Sequence, residues 1–210
     1  MSSHYFSTVP DVSSAPHSLT YSAFDREWTV TVDSGVFSPS GLDKGTAVLL
    51  HKVPISDLEP GSVVADIGCG WGPITLALAD TYPDARVVAC DVNERAVALA
   101  SKNCSDLGFS NVQVGLADDV VAQLRDEISR GIHSGIDVLW SNPPIRIGKD
   151  ELHKLLLTWL GLLSPSGHAY MVVQKNLGAD SLAKWIDAQG FPTEKIGSAK
   201  GFRILHVRKR

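Results

Sequence analysis

The stretch V63-V-A-D-I-G-C-G-W-G72 constrains this chain more than any other, because a nearly apolar pentapeptide runs directly into three glycines spaced G-x-G-x-G. Such a run, followed by a helical pattern to about Ala79, reads as a buried strand, a tight loop and a helix. The unit then recurs. Arg86–Cys90 is the next strand, and Asn93 opens a helix over Glu94–Leu107 that Gly108 stops. Val112–Leu116 follows, then an amphipathic stretch over Val120–Ile128 and the apolar run Ile136–Trp140. Lys149–Leu163 is helical, and Pro165-Ser166-Gly167 turns the chain into the strand Ala169–Gln174. A helix over Ser181–Gln189 precedes a closing pair, Lys195–Gly197 and Phe202–Val207.

Strands alternating with helices imply right-handed crossovers and a parallel sheet with helices on both faces. The last two strands are joined too closely for a crossover and must pair as a hairpin. The expectation is an α/β fold with a seven-stranded, mostly parallel sheet containing one antiparallel strand. A length of 210 residues suits one such domain with an extension. Residues 1–54 read as that lead-in and 55–210 as the α/β domain. Within the lead-in, Ser18–Ala23 and Trp28–Asp33 alternate with the period of strands about a turn at Asp25-Arg26-Glu27, and a helix opens near Lys44 or Gly45.

Composition excludes several classes. Hydrophobic residues at 44% and charged residues at 20% are unlike a disordered chain. No run approaches the roughly 18 apolar residues of a membrane span, and MSSHYFSTVPDVSS lacks the layout of a signal peptide. A cytoplasmic protein is expected. Cys69, Cys90 and Cys104 are too few for a disulfide framework or a zinc cluster, and no H-x-x-x-H spacing occurs, so no metal is expected. The net charge of −4 is uneven: residues 170–210 carry net +5 and residues 1–169 net −9. The basic end, closing on Arg208-Lys209-Arg210, is either a phosphate contact or a solvated tail.

Two sites carry chemistry. In the first, the glycine spacing differs from the G-x-G-x-x-G of a dinucleotide pyrophosphate site. Asp66 stands two residues before Gly68, where a cation is more welcome than a phosphate, and Asp91, ending the second strand, can accept both hydroxyls of a ribose. The second site is Ser141-Asn142-Pro143-Pro144-Ile145, at the end of the fourth strand. Consecutive prolines stiffen the backbone there and fix the angle of the preceding carboxamide. An exocyclic amine conjugated to a ring is a poor nucleophile, because its lone pair is delocalised. The Asn142 side-chain oxygen and the Pro143 carbonyl can each accept one of its hydrogens and hold it for attack.

The glycine loop with Asp66 and Asp91 resembles the class I S-adenosylmethionine (SAM) methyltransferases, of Rossmann-like fold, and N-P-P resembles the N-P-P-(Tyr/Phe/Trp) motif of amino methyltransferases. With D33-S-G-V-F-S-P-S-G-L-D-K-G-T46, V-V-Q-K-N-L-G-A179 and K-G-F-R-I-L205, the chain is similar over residues 5–208 to the small-domain ribosomal RNA methyltransferases, single-domain relatives of the guanine-N2 enzymes. The resemblance implies SAM as cofactor, held by Phe37, Asp66, Gly68, Cys69, Gly70, Gly72, Asp91, Val92, Asn142 and one of Asp118 and Asp119, of which Asp119 is favoured for the adenine amine. It implies a catalytic segment Asn142, Pro143, Pro144 and Ile145, and a loop Phe37–Thr46 packed over the cofactor. Gly68, Gly70 and Gly72 would line the methionine moiety, with Asp66 near its ammonium. Ile145 departs from the motif's aromatic, leaving Arg146, Phe37 or Trp71 to stack on a base. Arg146, Lys149 and Lys175 are substrate-contact candidates. Expected partners are ribosomal RNA or the small ribosomal subunit, with no membrane. Alternative targets are amino groups of protein glutamine or DNA, and a non-catalytic SAM-binding assembly factor is the other class.

Overall fold

The computed structural model describes residues 11–24 and 26–210. Its main sheet has seven strands, β3 (Val63–Ile67), β4 (Arg86–Asp91), β5 (Val112–Leu116), β6 (Ile136–Ser141), β7 (Leu163–Gln174), β8 (Thr193–Ala199) and β9 (Phe202–Arg208), in the order β5-β4-β3-β6-β7-β9-β8. Only β9 runs against its neighbours, pairing antiparallel with both β7 and β8. The expected architecture is therefore present. A separate two-stranded sheet, β1 (His17–Ala23) and β2 (Arg26–Val32), precedes it.

Among the described residues six α-helices cover the two faces: α1 (Lys44–Lys52), α2 (Pro73–Thr81), α3 (Glu94–Asp106), α4 (Ala117–Ser129), α5 (Lys149–Gly161) and α6 (Ala179–Ala188). Strand alternation assigns the layers. Val63, Ala65 and Ile67 of β3 pack with Leu124 of α4, Leu156 and Trp159 of α5 and Ile186 of α6. Val64, between them, joins Leu49 of α1 and Leu78 of α2 on the other face, with Trp140 and Tyr170. Trp28, Val30 and Val32 of the hairpin share a third cluster with Trp71, Leu76 and Leu99, which seats β1–β2 against the glycine loop and α3. Trp140 and Trp159 are core residues.

Some boundaries differ from the sequence reading. Ala23 pairs with Arg26, so Arg26 and Glu27 belong to β2 and not to a turn, while Asp25 lies outside the described residues. Helix α5 stops at Gly161, because Leu163 already pairs with Ile136. Pro165-Ser166-Gly167 bulges within β7, where the register passes from Ile136↔Leu163 to Val138↔His168. A Cβ on Gly167 would lie 2.4 Å from the Ile136 carbonyl oxygen, so only glycine allows that approach.

At the end of the sheet away from the glycine loop, His168 Nδ1 and His206 Nε2 are 2.8 Å apart, with Tyr170 stacked on His206. Burial, His168 and Arg208 hold His206 below the ordinary histidine range, against an opposing pull from Glu194. The unfolded chain takes up that proton as pH falls through about 6.5, and the folded chain resists it. Stability should therefore decline on acidification below about pH 6.5. Thermal melts at several pH values check this, and His206→Asn should flatten the decline. No helix among the described residues is long and apolar enough to cross a membrane.

Candidate active site

The carboxyl ends of β3, β4 and β6 meet along one lip of the sheet, and the glycine loop crosses it. Gly68, Gly70 and Gly72 all have positive φ, at 75°, 56° and 96°, which places them where glycine is favoured. Gly72 also lets α2 approach α3, since a Cβ there would meet the Ala100 Cβ at 3.3 Å. At Gly68 no atom lies within 4 Å of such a Cβ, so space opens above the loop.

Four of the loop amides are spent internally. Gly68 N and Cys69 N both donate to the Cys90 carbonyl at 2.9 Å, Gly72 N to the Cys69 carbonyl at 2.9 Å, and Gly70 N to Asp91 Oδ2 at 3.0 Å. Pro73, first in α2, has no amide hydrogen to offer. A phosphate needs free N–H donors at a helix start, so this loop is poorly made for a pyrophosphate. Two acids reinforce the point. Asp66 is 0% exposed beneath the loop; Thr75 donates to its Oδ2 at 2.6 Å, while Oδ1 has no partner. Burial, with Asp91 nearby, pushes the Asp66 carboxyl up to about 7. Asp91 is raised by burial as well, and its Oδ1 accepts from Asn93 N at 3.0 Å.

The loop Asp33–Asp43 lies over this floor. Asn93, capping α3, donates from Nδ2 to the Gly35 carbonyl at 2.9 Å, and Trp71 Nε1 donates to the Ser38 carbonyl at 3.2 Å. Phe37, Ser38, Asp43, Thr46, Gly68, Cys69, Gly70, Pro73 and Asn142 line a crevice between loop and floor. Phe37 remains 49% exposed at its mouth.

Asn142 follows β6. Its Nδ2 donates to Asp43 Oδ2 at 2.9 Å and to Thr46 Oγ1 at 3.1 Å. The same Asp43 oxygen caps α1 by accepting from Gly45 N and Thr46 N. A carboxylate accepts and cannot donate, so the amide nitrogen must face Asp43 and the amide oxygen is turned away from it. The Pro143 carbonyl accepts from Ile145 N at 2.8 Å across Pro144, whose φ and ψ of −75° and 75° form an inverse γ-turn. Its second lone pair is uncommitted by that bond.

The sequence-predicted residues divide accordingly. Phe37, Gly68, Cys69, Gly70 and Asn142 line the crevice. Asp66 and Gly72 lie beneath it, and Val92 is 43% exposed beyond Asp91. Asp118 and Asp119 are both exposed in the first turn of α4, where Leu116 holds the cap position and neither acid caps the helix. Ile145 packs against the α5–α6 side of the core, whereas Trp71, though buried, is among the residues lining the crevice. Burial drives the Cys69 thiol far above its usual range. Arg146, Lys149 and Lys175 are exposed beyond the ends of β6 and β7. Sequence reading gave Asp43 and Thr46 no individual role, because D-K-G-T is indistinguishable from an ordinary helix cap.

The family model "methyltransferase small domain" matches residues 27–206. The chain belongs to the small-domain methyltransferases. Among curated members, the uncharacterised protein YbxB of Bacillus subtilis is 32% identical over the full length of both chains. Ribosomal RNA small subunit methyltransferase C of Hahella chejuensis is 30% identical over 82% of this chain and 47% of its own. Ribosomal RNA large subunit methyltransferase G of Klebsiella pneumoniae is 35% identical over 67% and 35%. The chain thus spans half or less of those two enzymes. In fold it is similar to the T. thermophilus 16S rRNA N2 G1207 methyltransferase (RsmC) in complex with AdoMet and guanosine, with TM-score 0.73 and 23% identity over 96% of this chain and 52% of that one.

The cofactor of a class I methyltransferase is SAM, and the residues of this member fit it. The open space over Gly68 and the unpartnered Asp66 Oδ1 suit a ligand that carries an ammonium group. The internal use of the loop amides disfavours a phosphate competitor.

Proposed function

We propose that this methyltransferase modifies an exocyclic amino nitrogen of RNA, with guanine N2 of small-subunit ribosomal RNA the favoured target. One observation carries the reading: both hydrogens of the Asn142 amide are taken up by Asp43 and Thr46, which leaves its oxygen as an oriented acceptor beside the cofactor loop. Bound SAM would supply an electrophilic methyl group, whose bond to the sulfonium sulfur breaks on transfer to leave a neutral thioether. Asn142 Oδ1 and the Pro143 carbonyl draw on the two hydrogens of a flat amine and hold its nitrogen in position; as the nitrogen gains the methyl it becomes cationic, and both acceptors stabilise that charge before a proton leaves to water. Hydrogen-bonded chains polarise their members, so the Asp43 carboxylate strengthens the acceptor it holds. Phe37, apolar and exposed at the mouth, takes the stacking place that Ile145 leaves empty. Asp66 and Asp91 hold the cofactor's ammonium and ribose.

The curated C and G relatives are named for small- and large-subunit RNA respectively, so both RNAs belong in the test. Mass spectrometry of nucleosides from gene-deleted and wild-type ribosomes should show one methylated base lost on deletion. Label from tritiated SAM that resists nuclease and yields to protease would refute the RNA reading.

Asp43→Ser tests the support of Asn142. Serine caps a helix about as well as aspartate, but its shorter side chain cannot also reach the amide. Thermal stability should change by less than about 1 kcal/mol, while kcat falls roughly tenfold to a hundredfold. An unchanged kcat would remove Asp43 from the mechanism.

A further inference from the structure

The basic residues of the last forty positions do not form one tail. Arg208 pairs with Glu194, and Lys209 Nζ donates to the Leu163 carbonyl at 2.5 Å, both at the end of the sheet opposite the crevice. Lys175, Lys195, Lys200 and Arg203 gather elsewhere. Lys175 N donates to the Gly201 carbonyl at 2.8 Å, which ties the end of β7 to the tip of the β8–β9 hairpin. Lys195 Nζ and Arg203 Nε each lie 3.1 Å from Asp180 Oδ1, and Lys175 also acts on that carboxylate, so one exposed acid answers three of the four cations and Lys200 adds to them. The tip also touches the catalytic support. A Cβ on Gly45 would lie 2.9 Å from the Phe202 ring and 2.9 Å from Asp43 Oδ2, so Phe202 sits directly against the cap that holds Asn142.

Lys200 is itself unusual. The hairpin turns through Lys200 and Gly201, with φ of 49° and 83°. That two-residue turn favours asparagine, aspartate or glycine at its first position, and a lysine there is strained. Strain at an exposed tip that folding alone does not require points to a use for the charge.

We infer that Lys175, Lys195, Lys200 and Arg203 form a ledge beside the crevice that takes the sugar-phosphate backbone of the RNA whose base enters the site. The inference rests on the RNA reading above. Arg146 and Lys149 stand across the end of β6, but Asp150 and Glu151 follow them directly, and they are left out of the ledge. The contacts are to phosphate, so they set affinity and salt dependence without selecting a base sequence.

The test uses the full chain with SAM, deproteinised small- and large-subunit ribosomal RNA as probes, and a salt series. Lys175→Glu/Lys200→Glu should weaken RNA binding about tenfold and flatten the logarithmic salt dependence by about 0.7 per lost contact, the single-strand value, with SAM affinity unchanged. Arg208→Glu/Arg210→Glu makes the same charge change at the opposite end of the sheet and should leave binding within about twofold. Lys200→Gly separates charge from folding: glycine relieves the positive φ, so the melting temperature should hold or rise while RNA affinity falls. Unchanged RNA affinity and salt slope in both ledge variants would overturn the ledge. RNA binding that responds to the ledge variants without methyl incorporation would keep the ledge and refute the proposed function.

Discussion

Asn142→Ala should lower kcat by about 10²- to 10³-fold, some 3–4 kcal/mol, the loss measured when one oriented group that stabilises transition-state charge is removed. SAM affinity should stay close to wild type, because the change removes an acceptor for the amine. The fold should persist: Asn142 is only half-buried, and Asp43 retains its bonds to Gly45 N and Thr46 N. Asn142→Asp is the sharper variant. A second carboxylate would replace the amide nitrogen that now lies 2.9 Å from Asp43 Oδ2. Two carboxylates that close share a proton or repel, so this variant should be as inactive as Asn142→Ala at pH 8, with its orientation lost. Single-turnover kinetics with titration of SAM binding checks both. Wild-type turnover in Asn142→Ala with intact SAM binding would remove the amide from the mechanism.

Asp66→Asn should cost SAM about one to two orders of magnitude in affinity, the range for losing a charged hydrogen-bond partner. Asp66 is fully buried with one oxygen unpartnered, and burial raises its carboxyl to about 7. The unfolded chain releases that proton near pH 4, and the folded chain keeps it to about 7. The ligand-free protein therefore loses stability as pH rises across that interval. A ligand with an ammonium group reverses the balance by favouring the ionised acid. SAM affinity should thus rise with pH through about 7 in the wild type and lose this dependence in Asp66→Asn. Calorimetric titration at pH 6, 7 and 8 measures both. Full affinity in Asp66→Asn would show that the buried charge serves the loop alone.

The strand–loop–helix units were legible because their signals are local. Val63–Ile67 is apolar enough to be buried on both faces, Asn93 caps α3 by its own side chain, and the glycines sit where φ is positive. The boundaries that moved were set by pairing across the sheet. Leu163 reads as the end of a helix until Ile136 is placed beside it, and Pro165-Ser166-Gly167 reads as a turn until its bulge against β6 is seen.

Sequence by itself determined which chemical groups this protein brings: the glycine loop, the acids at positions 66 and 91, and the stiffened amide before two prolines. Tertiary structure alone decided what holds them. Asp43 and Asn142 are 99 residues apart, and no local pattern links a helix cap to a strand end. The charge asymmetry of the chain was likewise visible in the sequence, but antiparallel β9 places Phe202 and Arg203 at one end of the sheet and Arg208 at the other, which separates the basic residues the sequence runs together. Side-chain chemistry is a property of each residue, whereas orientation and neighbourhood belong to the packed chain.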